Sequence, residues 1–175
     1  MSPMPAPYDA AEPATSCRIT EAPEVMTAVV VQHDFPMYDM PALMDGTFSH
    51  LAEALAAQGI RPIGPAFSLH HRAPVATADL EVGFPVDAPL TETLELPSGY
   101  EVIGSSIPGG RIAWISHLGA YGGLADKWGA FTEQVGESDE QMTYPFWEFY
   151  VTEPHPDMNP ATLRTDLFSL LEPRS

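Results

Sequence analysis

Two segments of the chain carry apolar residues at the three-and-four spacing of a helix face, and the rest of its apolar content lies in runs of strand length. Met44, Phe48, Leu51 and Leu55 share one face of a helix that Asp39 and Pro41 would start and Gly59 would end. Tyr121, Leu124, Trp128, Phe131 and Val135 do the same in a second helix closed by Gly136. Strands are predicted over residues 18–20, 26–33, 65–71 and 79–84, with a short one over 91–96. Further strands follow over 101–103, 111–117, 145–151 and 163–171.

These elements repeat. Each half runs through a strand ending in histidine (His33, His117), an amphipathic helix, a strand opened by proline (Pro65, Pro145) and a second strand after a proline-containing loop. Aligning Pro65 with Pro145 makes Ser68 correspond to Glu148 and His70 to Tyr150. A duplicated β-α-β-β unit can pair its halves about an approximate two-fold axis. The expected fold is therefore α+β, one antiparallel sheet with both helices on one face and a ligand cleft on the other. A single domain over 18–172 would hold two repeats, about 18–96 and 100–172, behind a Pro/Ala-rich tail over 1–17 that reads as disordered.

The run from Pro145 to Val151 sets one acid among aromatic residues. Strand alternation puts Phe146, Glu148 and Tyr150 on one face and Trp147, Phe149 and Val151 on the other. The second set is the more apolar and is assigned to the helix side, which leaves Phe146, Glu148 and Tyr150 for the cleft. An acid between aromatic rings is either an exposed edge charge or the polar anchor of an apolar pocket.

Charge narrows the partners. Seven basic residues face twenty-four acids, for a formal charge of −17, so direct nucleic-acid binding is not expected and a neutral aromatic or cationic small molecule is. Cys17 is the only cysteine, which excludes an internal disulfide. No apolar run spans a bilayer and the first residues lack the pattern of an export signal, so a cytoplasmic protein without membrane attachment is expected.

The run His117-Leu118-Gly119-Ala120-Tyr121-Gly122-Gly123-Leu124 with Trp128 after it, followed by Pro145-Phe146-Trp147-Glu148-Phe149-Tyr150-Val151-Thr152-Glu153-Pro154, resembles the gyrase-inhibitor-like (GyrI-like) effector-binding domain over about residues 18–171. The resemblance implies a drug- or effector-binding pocket between the repeats, lined by aromatics, with a glutamate at its floor. Glu148 matches that glutamate, Tyr150 the tyrosine after it and Tyr121 the tyrosine at the helix start. Some relatives are sensors fused to a DNA-binding helix-turn-helix, and some stand alone, a few of these hydrolysing cyclopropane-bearing alkylating natural products. With no DNA-binding segment ahead of Arg18, a stand-alone member is expected. The first-half histidine is followed by Asp34-Phe35-Pro36 where the second half has its glycine motif, so the two halves are not equally family-like.

Two functions follow from this reading. Glu148 can act as counter-charge to a cation held between aromatic walls, or as a general base that positions water while Tyr121 stabilises a developing oxyanion. The candidate ligand-binding residues are Glu148, Tyr150, Phe146, Trp147, Tyr121, Phe67, His70 and Trp114. Trp114, Trp128, Trp147 and Phe67 also suit a core, and the tyrosines suit amphipathic packing. No cofactor or metal is expected: His70 and His71 are neighbours on a strand and face opposite ways, while His33 and His117 suit bonds to nearby backbone. Gly104-Ser105-Ser106 lacks the following helix of a phosphate loop.

Overall fold

In the computed structural model, which describes residues 4–153 and 156–173, every predicted strand forms. Met1 to Pro3 of the predicted tail and the motif's Pro154 lie outside the described residues. The strands are β1 (Arg18–Ala22), β2 (Val25–Pro36), β3 (Phe67–His70), β4 (Thr77–Pro85), β5 (Leu94–Glu95), β6 (Glu101–Ile107), β7 (Gly110–Leu118), β8 (Met142–Tyr150) and β9 (Arg164–Leu171). Helices α1 (Met40–Phe48) and α2 (Leu51–Ala56) join β2 to β3, and α3 (Leu124–Glu137) joins β7 to β8. The helix predicted as one over its first-half segment is thus two, because His50 leaves the helical backbone region at φ −133°. Gly104, Ser105 and Ser106 have low strand propensity, yet they extend β6 by pairing with Ala28, Thr27 and Met26.

The nine strands form one antiparallel sheet in the order β1-β7-β9-β8-β3-β4-β2-β6-β5. With β5 set aside, the order reads the same from either end once each strand is exchanged for its counterpart in the other half. The lead-in strands cross over, β1 pairing with β7 and β6 with β2. At the centre β3 pairs with β8, Ser68 opposite Glu148 and His70 opposite Phe146. His70 and Tyr150 correspond between the halves without touching, since the symmetry mate of the His70–Phe146 pair is Ala66–Tyr150, joined by a 2.9 Å backbone bond.

Directly opposed residues of an antiparallel pair point to the same face. Leu43, Leu51 and Leu55 bury Val30, Val82 and Val102 under α1 and α2. Phe131 and Val135 of α3 bury Ala113, Ile115 and Leu167. Glu148 lies opposite both Ser68 and Leu167, and Ser68 opposite Val82, so Glu148 shares the helix face.

That corrects the assignment of faces. Trp147 and Phe149 point away from the helices, into an aromatic cluster with Phe67, Trp114 and Phe168, where Phe168 stacks on Trp147 at 6.0 Å and on Trp114 at 5.7 Å. The cavity that Tyr150 lines falls on the helix face, between the helices. The apolar contrast misled because both faces of β8 are covered, as in a central strand.

What covers the outer face is the stretch read as a disordered tail. Met4 and Ala14 are buried, and the Tyr8 ring meets Phe149 at 5.2 Å and Phe168 at 5.0 Å. Its composition forms no helix or strand, but its backbone is held by side chains of β7 and β9. Arg164 donates to the carbonyls of Ala11 (3.0 Å) and Ala10 (3.2 Å) while paired with Asp166, and the Ala14 amide donates to Ser116 Oγ at 2.9 Å. No helix among the described residues is long and apolar enough to cross a membrane.

Candidate ligand-binding site

The polar centre of the helix face is a chain of three side chains from β3 and β8, extended by one from α3. Trp128 Nε1 donates to Glu148 Oε2 at 2.6 Å, and the Tyr150 hydroxyl donates to Glu148 Oε1 at 2.9 Å. Ser68 Oγ lies 2.8 Å from the Tyr150 oxygen. Since Tyr150 spends its only proton on Glu148, the Ser68 hydroxyl must donate to the phenol oxygen. Two donors to one carboxylate make charge-assisted bonds, the stronger kind, and fix the acid at the base of the face.

Phe146 extends the same face, with the Trp128 ring 4.8 Å away and His70 stacked on it at 5.0 Å and 13°. Burial, helped by the nearby positive charges of His71 and Arg72, lowers the His70 imidazole to about 4, so the ring is neutral. His71 turns the other way and meets Glu81 on the outer face at 2.6 Å.

The second-half motif has a local cause. His117 leans back on the chain, its Nε2 2.9 Å from the Ala120 carbonyl. Gly119 makes that turn at φ +136°, and a side chain on Gly123 would come within 3.0 Å of the imidazole. The following 3-10 turn, Tyr121–Gly123, swings Tyr121 over the sheet so that its ring meets Tyr150 edge-on at 5.9 Å. Burial and then the Glu148 charge push both phenols above their ordinary range, far so for Tyr150, where the Ser68 bond opposes the rise. Both remain protonated donors.

These groups back a cavity of about 690 Å³ between α1 and the start of α3. The first half contributes Met44, Phe48 and Phe84, the second Tyr121, Leu124 and Tyr150. Pro65, Val151 and the exposed Glu153 complete its lining. Its size and apolar walls suit a drug-sized molecule.

Of the residues proposed from sequence, Tyr121 and Tyr150 line this cavity, and Glu148 does not line it but accepts a bond from Tyr150. Phe146 and His70 sit on the same face, one layer deeper. Trp147, Phe67 and Trp114 are buried in the outer-face core and do not meet it. Met44, Phe48 and Phe84 join the site without a motif to mark them, and Leu124 and Glu153 join it from inside the two family-like runs, where no role is assigned to them. A signal exists for two of them: apolar residues at both 43 and 44, and again Thr47 beside Phe48, make a stripe too wide for one contact surface. Leu43 and Thr47 pack on the sheet, which leaves Met44 and Phe48 for the cavity.

No family model matches the chain, and no curated protein matches it in sequence. Solved structures match in fold. The C-terminal domain of EcmrR is 15% identical with a TM-score of 0.67, over 90% of this chain and 97% of that domain. SAV2435 bound to tetraphenylphosphonium is 10% identical with a TM-score of 0.60, over 90% and 94% of the two chains. A hydrolase from Listeria innocua is 10% identical with a TM-score of 0.62, over 93% and 94%. The chain spans 57% of the length of EcmrR in its DNA complex, to which it is 16% identical with a TM-score of 0.69.

Proposed function

We infer that this chain is a GyrI-like small-molecule-binding protein that takes an aromatic or amphipathic cation between its two halves, as a sensor, sequestering or resistance protein. The observation that carries this is the cavity walled by both halves, with Glu148 bonded to the lining Tyr150 and the exposed Glu153 also in its lining. Aromatic walls and a carboxylate together favour a delocalised cation over an anion or a neutral sugar. A fold neighbour that holds tetraphenylphosphonium supports the same reading. Titration calorimetry with tetraphenylphosphonium and with neutral triphenylphosphine oxide tests it. The cation should bind more tightly, and Glu148→Gln should weaken the cation about ten-fold while leaving the neutral compound within about two-fold. Equal loss for both would remove Glu148 as the counter-charge.

The alternative is hydrolysis of an electrophile, such as a cyclopropane-bearing natural product, in the same cavity. The protonated Tyr121 favours it as an oxyanion donor, and a hydrolase shares the fold. Against it, Glu148 is not among the residues that line the cavity, and each of its oxygens already accepts a bond, from Trp128 and from Tyr150. Incubation with such an alkylator followed by mass spectrometry decides between the two: turnover abolished in Glu148→Gln would establish the hydrolase.

A further inference from the structure

A second cavity, of about 760 Å³, lies on the outer face between the N-terminal segment and β8 and β9. Tyr8 and Phe149 give it aromatic walls, and Asp9, Arg164 and Asp166 give it polar ones. Arg164 and Asp166 neutralise each other through two 2.9 Å bonds, which leaves Asp9 as the uncompensated charge. Its character is thus that of the first cavity: aromatic surface with one spare carboxylate.

The two cavities share part of their lining. Gly64, Pro65 and Val151 line both, so the sheet is flanked by a cavity on each face at the one place where β3 begins and β8 has ended. Val151 is 40% exposed at that junction. Gly64 is closely packed there, since a side chain would come within 2.9 Å of Met4 and Pro85. Each cavity alone is of a size that encloses a drug-sized molecule.

We propose that the two cavities are subsites of one site that wraps around Pro65 and Val151, and that it takes an elongated compound with an aromatic cationic group at each end. One end group sits against Tyr121 and Tyr150 near Glu153, the other against Tyr8 and Phe149 near Asp9. The N-terminal segment is then a wall of the ligand site, and Tyr8 is a specificity-determining residue. This rests on the small-molecule reading above and adds to it the length and two-headed character of the ligand.

The test uses alkane-linked bis(triphenylphosphonium) probes with linkers of about four to ten methylenes, compared with butyltriphenylphosphonium by titration calorimetry on the full chain. At least one linker length should bind at least about ten-fold more tightly than the single-headed probe, with one molecule bound per chain. Ala11→Trp, an exposed position that fills the outer cavity and keeps the carbonyl bonded to Arg164, should remove that advantage and leave the single-headed probe unchanged. Tyr8→Ala should reduce the advantage in the same direction. If the single-headed probe does not bind at all, the small-molecule reading itself fails. If it binds but no linked probe binds more tightly, or if Ala11→Trp leaves the advantage intact, the outer cavity is no subsite and the present inference is overturned.

Discussion

Ser68 and Glu148 correspond between the two halves and sit directly opposite each other where β3 meets β8, so the approximate two-fold axis of the sheet passes between a hydroxyl and a carboxylate. The backbone is nearly symmetric there and the chemistry is not. Tyr150 bridges the two, donating to the acid and accepting from the serine, and Trp128 completes the acid's shell from one helix only. A cavity built by both halves is in this way given a single polar side.

Ser68→Ala tests that bridge. The Ser68 hydroxyl is buried, and its loss leaves the Tyr150 oxygen without its donor. Urea unfolding should show a loss of about 1 kcal/mol. Because the Ser68 bond opposes the rise of the Tyr150 phenol, ultraviolet titration should find that phenol still harder to ionise in the variant. An unchanged stability would mean that the hydroxyl makes no net contribution at the join.

Two residues of α1, Leu43 and Phe48, should separate packing from binding. Leu43 is fully buried against the sheet, whereas Phe48 lines the cavity and meets Phe84 edge-on at 5.4 Å. Leu43→Ala should cost about 3 kcal/mol in unfolding free energy with affinity for tetraphenylphosphonium preserved in the folded fraction. Phe48→Ala should do the reverse, lowering affinity roughly ten-fold with the smaller stability loss.

His70 makes stability depend on pH in a defined window. Its imidazole is lowered from 6.5 to about 4, so between those values the unfolded chain holds a proton that the native one lacks. The contribution is fully present above pH 6.5 and is lost as pH falls toward 4. His70→Phe retains a ring against Phe146 and removes the titration. From pH 7.5 to 4.5 the wild type should lose about 2.5 kcal/mol more than the variant in parallel urea unfolding series. Parallel losses would show that His70 carries its proton in the native state.

The hold on the N-terminal segment can be released at one residue. Arg164→Met removes both carbonyl contacts and leaves the buried Asp166 with Ser116 as its remaining partner. A loss of about 3 kcal/mol is expected, with faster amide exchange at Ala14 than at Ile115 of β7. Unchanged exchange at Ala14 would show that burial of Met4 and Tyr8 alone anchors the segment.

Periodicity and duplication make the sheet, the two helical regions and the central Ser68–Glu148 pairing legible in the sequence alone. The side of the sheet on which each residue falls is not legible there, because Trp147 and Phe149 are as buried as any helix-facing residue. Their cover comes from Tyr8 and Met4, in a segment whose alanines and prolines carry no periodicity. A strand pattern records that a face is covered, never by what. The same limit makes Trp147, Phe67 and Trp114 read as pocket residues. Tyr121 and Tyr150 are legible because a motif marks them, whereas Phe84 reaches the cavity only through tertiary placement.

The central claim is that the ligand site lies on the helix face between the two halves, and a crystal structure of the chain grown with tetraphenylphosphonium tests it most directly. Density for the cation is expected between Phe48 and Tyr121, with a phenyl ring against Tyr150 and the phosphorus on the side of Glu148. Density confined to the outer face, with the space between Phe48 and Tyr121 filled by water, would contradict it.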